Sequence, residues 1–73
     1  MARDWQSDFY VLLDRERTAF QMRNAAFGEL MPQLASYAAV DMELSGRVMA
    51  ADKAWKAAKA DMAAFITEFR QAA

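Results

Sequence analysis

Apolar side chains recur at alternating intervals of three and four residues through the second half of the chain. This spacing keeps one stripe of a helix directed at a partner helix, as in a coiled coil. The stripe comprises Leu34, Tyr37, Asp41, Leu44, Val48, Ala51, Trp55, Ala58, Met62, Phe65 and Phe69, with Asp41 as its polar interruption. The pattern therefore predicts a long helix that packs lengthwise against another helix.

The first half of the chain carries a broader apolar stripe at helical spacing, which predicts a first helix. Asp4 suits its N-cap, where a side-chain oxygen accepts a hydrogen bond from the first turn. Gly28 suits the position just past its end, where the backbone is often left-handed. Helix 1 is thus predicted from Asp4 to about Phe27. Its stripe comprises Trp5, Phe9, Leu12, Leu13, Ala19, Phe20, Ala26, Phe27 and Leu30.

Pro32 suits the first turn of a second helix, because the N–H group that proline lacks is not needed there. Glu29–Met31 is then the predicted connection, and helix 2 is predicted from about Pro32 to Gln71. Gly46 falls at the outermost position of the repeat, which passes through it without a skip or an insertion. This favours one continuous helix, and a break at Gly46 that yields a three-helix bundle is the alternative.

These boundaries predict two helices of unequal length. Helix 1 would extend about 36 Å and helix 2 about 58 Å, so that roughly the last 14 residues of helix 2 have no neighbour in their own chain. Burying each large apolar side chain there is worth about 1.5 to 3 kcal/mol. We therefore expect a homodimer of hairpins that forms a four-helix bundle. The predicted dimer or partner interface consists of Trp55, Ala58, Met62, Phe65, Ile66 and Phe69.

Composition supports an all-α fold and excludes several kinds of site. Alanine, which favours helix, occupies 17 of the 73 positions. The length of 73 residues indicates one domain, so we predict a single helical domain over residues 1–73. A chain this short buries only about 60% of its unfolded surface, so it needs reinforcement. Cysteine and histidine are both absent, which removes disulfides, thiolate metal sites and the commonest general base. We predict no catalytic residues, no metal site and no cofactor.

Two sets of charged residues are candidates for specific roles. The predicted register places Arg23 level with Asp41, which indicates a partly buried ion pair that fixes the alignment of the helices. A candidate basic face near Trp55 consists of Arg47, Lys53, Lys56 and Lys59. Acidic residues are interleaved with these bases and the formal net charge is −1, which disfavours nucleic-acid binding.

These observations favour a small non-enzymatic protein that binds another protein of unknown identity, as an adaptor, inhibitor or regulatory subunit of the kind found among bacterial or phage accessory proteins. The alternative is a nucleic-acid-associated regulator that uses the basic face. The N-terminal residues do not resemble a signal peptide, and no stretch reaches the roughly 20 apolar residues that a membrane span requires. We therefore expect a cytoplasmic protein.

Overall fold

The structure is a computed structural model, and it describes residues 3–36, 39 and 41–72. Two α-helices form an antiparallel hairpin, with α1 over Trp5–Ala35 and α2 over Met42–Ala72. Each helix contains 31 residues, and no strand occurs within the described ranges. The hairpin is an elongated rod of 56 × 16 × 16 Å. The all-α prediction and the helical hairpin are thus confirmed.

Helix α1 begins as predicted. The Asp4 carboxylate accepts a hydrogen bond from the backbone N–H of Ser7 at 3.0 Å, which satisfies one of the unpaired donors of the first turn. The guanidinium of Arg3 pairs with Asp8 and with Glu68 of α2, so the start of α1 is also attached to the end of the other helix. The two residues that precede α1 therefore have different roles, since Asp4 caps the helix and Arg3 pairs with the opposite helix.

The predicted end of helix 1 is wrong, because α1 continues through Gly28 and Pro32 to Ala35. Proline in a helix leaves the carbonyl four residues earlier without its usual donor. Here that carbonyl belongs to Gly28, which is exposed, so water can hydrate it. Packing supplies the compensation, since Leu30 is buried in a cluster with Leu44 and Val48. Tertiary burial thus overrides the local stop signals.

Asp41 begins α2 instead of interrupting it. Its carboxylate accepts hydrogen bonds from the backbone N–H groups of Glu43 at 2.9 Å and Leu44 at 3.3 Å. Its own backbone N–H donates to the side chain of Gln33 at 3.0 Å, which links the end of α1 to the start of α2. The predicted start of helix 2 at Pro32 is therefore also wrong, and Tyr37 of the predicted repeat lies outside the described residues.

The prediction of an uninterrupted helix through Gly46 is confirmed. From Leu44 to Phe65 the predicted repeat is the side of α2 that packs against α1. Its members Leu44, Val48, Ala58 and Phe65 are buried, and Ala51, Trp55 and Met62 are half-buried.

The predicted overhang of helix 2 does not exist. The connection lies between Ala35 and Met42, not near Leu30, so each residue of α1 pairs with a residue further along α2. Trp5 contacts Phe65 and Phe69 at ring-centroid distances of 5.5 and 5.6 Å. A connection at Glu29–Met31 would instead place Trp5 level with Trp55. The C-terminal part of α2 is therefore covered along one side by its own chain.

Phe65 anchors the open end of the hairpin, because only 6% of its surface is exposed and its ring packs between those of Trp5 and Phe9. We expect Phe65→Ala to lower the free energy of unfolding by about 3 kcal/mol, measured by urea denaturation followed by circular dichroism. Phe69→Ala is the matched control, since Phe69 is 49% exposed, and it should cost about 1 kcal/mol. Equal losses would contradict this packing.

Gly28 and Gly46 both lie inside helices, and a Cβ atom added at either position would meet no atom within 4 Å. Alanine is about 1 kcal/mol more favourable than glycine in a helix interior. Gly28→Ala and Gly46→Ala should therefore each raise the free energy of unfolding by about 0.5 to 1 kcal/mol, measured by the same denaturation experiment. A lower stability for Gly46→Ala would indicate that the helix is bent or broken there.

Candidate functional site

The hairpin has two lateral faces, one on each side of the contact between α1 and α2. Met22 lies on one of them and Phe20 on the other, because positions two residues apart point to opposite sides of a helix with 3.6 residues per turn. Ala54 and Asp52 are separated in the same way on α2. We name the first side the alanine groove and the second the tryptophan face. Each is defined by its residues below.

The alanine groove is an open, largely apolar depression of about 840 Å³ between the helices. Helix α1 contributes the larger side chains, Val11, Thr18 and Met22, whereas α2 contributes only alanines at its centre. Met22 is 62% exposed. The complete lining is Val11, Asp14, Arg15, Thr18, Ala19, Met22, Ala25, Ala26, Glu29, Arg47, Ala50, Ala51 and Ala54.

An ion pair between the helices lies toward each end of the alanine groove. Arg15 lies 3.8 Å from Asp61 at one end, and Arg47 lies 3.6 Å from Glu29 at the other. All four side chains are well exposed, so each pair contributes little to the stability of the hairpin. The distance along α1 from Arg15 to Glu29 is about 21 Å at 1.5 Å per residue, or roughly four helical turns. This length suits the docking of another helix.

The tryptophan face is centred on Trp55, whose ring contacts both aromatic and charged groups. The ring packs 5.4 Å from Phe20, and its N–H group donates a hydrogen bond to the Glu16 carboxylate at 2.9 Å. The Arg23 guanidinium lies 4.8 Å from the ring centre, and the Lys59 ammonium lies 4.5 Å from it. Such cation–π contacts favour this ring orientation. Trp55 thereby connects the two helices on this side.

Arg23 pairs with Asp52 and not with Asp41 as the predicted register required. Its Nε atom donates to Asp52 at 2.7 Å, and its guanidinium also lies 4.6 Å from the centre of the Phe27 ring. The displacement follows from the later position of the connection, which brings α2 residues further along the chain beside Arg23. An interhelical ion pair of Arg23 therefore exists with a different acidic partner, while Asp41 caps α2.

The four predicted basic residues do not all lie on one face. Arg47 lies at the alanine groove beside Glu29, whereas Lys56 lies nine residues later on the opposite side of α2. The Lys56 ammonium pairs with Asp52 at 2.9 Å. Lys59 contacts the Trp55 ring, and Lys53 is exposed. The described structure thus separates Arg47 from the three lysines, which share one side of α2, and it places acids beside Arg47 and Lys56.

The residues of the predicted interface also have different positions. Ala58 and Phe65 are buried between α1 and α2 of the same chain, and Trp55 and Met62 are half-buried there. Ile66 and Phe69 remain accessible. Together with Trp5, Gln6, Phe9 and Phe65, they line a smaller apolar cleft of about 420 Å³ at the open end of the hairpin.

Sequence reasoning missed the α1 side of the alanine groove, although a signal for it exists. Positions 11, 15, 18, 22, 25 and 29 follow alternating intervals of four and three residues, a second stripe beside the one that packs on α2.

Among the residues that the structure describes, no group of three or more acidic side chains is placed to hold a metal ion. Neither described helix combines the length and the apolar character needed to cross a membrane.

Comparisons of the chain with models of protein families, with curated proteins and with solved structures find no match.

The hydrogen bonds from Arg23 and from Lys56 hold the pKa of Asp52 below its ordinary value of 3.8. The folded chain therefore binds this proton more weakly than the unfolded chain. The resulting stabilisation is fully present above about pH 4 and is lost as the pH falls through the lower pKa of the folded state. Acid should weaken the link between Arg23 and α2.

Asp52→Asn removes this titration, so its melting temperature should fall less than that of the wild type between about pH 6 and pH 3. Thermal unfolding followed by circular dichroism provides the measurement. Asp14→Asn, at an exposed acid on the other side of the hairpin, is the matched control and should retain the decline of the wild type. Parallel pH profiles for Asp52→Asn and the wild type would contradict this role of Asp52.

Proposed function

We propose that this chain is a small, non-enzymatic protein–protein interaction module of the cytoplasm. It would act as an adaptor, inhibitor or regulatory subunit through the surface of a helical bundle formed by two copies of the chain. The observation that carries this proposal is the incomplete burial of its core. The two helices bury only a few apolar side chains between them, and another molecule on the open sides of the hairpin would bury more.

Burial among the described residues shows how incomplete the core is. Its buried members are Ala26, Leu30, Leu44, Val48, Ala58 and Phe65, and no side chain is fully enclosed. Large apolar residues remain exposed on both sides of the hairpin, among them Tyr10 and Val11. Such a distribution is typical of surfaces that bind other proteins. A second hairpin would complete a four-helix bundle and bury much of this surface.

The described polar groups support a structural role more than a catalytic one. Glu16, Arg23 and Asp52 each bond to a side chain of the opposite helix. They lie along the contact between the helices and not in a cleft that could enclose a substrate. Catalytic acids and bases typically lie in pockets that exclude water and perturb their pKa values. The arrangement on the tryptophan face serves to align the helices.

The nucleic-acid alternative receives no support from the arrangement of charge. Phosphate binding requires several bases on one side of the protein. Here Lys53, Lys56 and Lys59 share one side of α2, but Lys56 pairs with Asp52, and Arg47 lies on the opposite side beside Glu29. We therefore expect at most weak binding to labelled duplex DNA, which disappears at moderate salt. Tight binding would instead support the nucleic-acid alternative.

Sedimentation equilibrium of the full chain tests the proposed association. We expect a dimer with a dissociation constant in the micromolar range or lower, because the hairpin gains stability from cover on its open sides. A protein captured with the tagged chain from its native host should then bind the purified chain with fixed stoichiometry in a calorimetric titration. A monomer at high micromolar concentration, with no stoichiometric protein partner, would overturn the proposal.

A further inference from the structure

The alanine groove has the extent, shape and charge pattern to receive a second copy of the same chain. Its extent is the first argument. The chain exposes 5670 Å² of surface, whereas a compact protein of 8.3 kDa exposes about 4,600 Å². The excess of about 1,100 Å² is larger than the roughly 800 Å² that each partner contributes to a standard interface. The elongated chain as a whole therefore carries enough surplus surface to supply an interface of standard size.

The second argument is a difference in side-chain size between the two walls of the groove. The α1 wall presents Val11, Thr18 and Met22, and the α2 wall presents alanines on both sides of Ala54. Two copies related by a two-fold axis parallel to the helices place the α1 wall of each against the α2 wall of the other. Large side chains then enter a surface of small ones, which is the condition for close packing of facing helices.

The third argument is charge complementarity. Rotation about this axis does not shift a residue along the length of the bundle. Arg15 and Asp61 lie side by side in one chain, so Arg15 would also lie beside the partner's Asp61. Glu29 would likewise meet the partner's Arg47. Each of these four side chains already pairs with an opposite charge in its own chain. In the dimer it would also face an opposite charge of the other copy. Like charges in these positions would oppose docking of one copy on another.

We propose that the alanine groove is the dimerisation surface, with Met22 of each copy seated near the partner's Ala54. This inference rests on the proposed function, because it specifies the face by which the interaction module associates. Every neighbouring pair of helices in the resulting bundle is antiparallel. The tryptophan face and the apolar cleft at the open end remain available outside the dimer contact.

Ala54→Glu tests the proposal by placing a charge in the centre of the groove. Ala63→Glu is the matched control, because Ala63 is also an exposed alanine of α2 and lies nine residues later, on the opposite side of the helix. Sedimentation velocity should show a monomer for Ala54→Glu and a dimer for Ala63→Glu. Circular dichroism should show unchanged helix content in both variants.

The outcomes separate this inference from the proposed function. If the wild type and Ala54→Glu are both dimers, the groove proposal is overturned while the proposed association stands. Dissociation by Ala63→Glu alone would move the interface to the tryptophan face. If the wild type itself is a monomer, the proposed dimeric bundle fails and the groove proposal fails with it.

A second measurement tests the orientation of the two copies. The chain contains no cysteine, so Met22→Cys and Ala54→Cys each introduce a single thiol. After mixing and mild oxidation, intact mass spectrometry should detect a disulfide between the two variants, since bridged residues lie within about 7 Å of each other. A disulfide between two copies of Met22→Cys, without the mixed product, would show that the copies are reversed end to end and would overturn the proposed axis.

Discussion

Contact between the aromatic side chains at the open end of the hairpin fixes the register in which α1 and α2 pair. Trp5 and Phe9 enclose Phe65 there, while Leu30 packs with Leu44 and Val48 near the connection. These two clusters lie at opposite ends of the rod, so a shift of either helix by one turn would disrupt both. All other interhelical contacts, including the pair of Arg23 with an acid, follow from this alignment.

A hairpin of two helices can cover only one side of each helix. The strongest apolar stripe of α2 is used for the contact with α1, which leaves the lateral faces to solvent or to another molecule. On the tryptophan face, aromatic rings are interleaved with charged groups that bond across the helices. In the alanine groove the charged side chains lie toward the two ends, and Thr18 is the polar residue of its otherwise apolar middle. This contrast is why the groove is the better candidate for docking.

The proposed association has a different basis in the structure from the one that the sequence indicates. The sequence predicted association because the last turns of α2 lacked a neighbour, and that argument fails once Phe65 is buried inside the hairpin. Association is now supported by the uncovered sides of the whole rod. Of the predicted interface residues, Ile66 and Phe69 remain accessible at the smaller apolar cleft, whereas the alanine groove around Met22 and Ala54 has twice its volume.

Composition and the three-and-four spacing act locally along one helix, so they are sufficient to predict two helices, the capping role of Asp4 and the stripe of α2 that faces its neighbour. The end of α1 depends instead on packing between the helices. Gly28 and Pro32 favour a local stop, but the burial of Leu30 against α2 outweighs it. Moving the turn by several residues changes every interhelical partner, so ion pairs and exposed faces depend on long-range packing that no local pattern specifies.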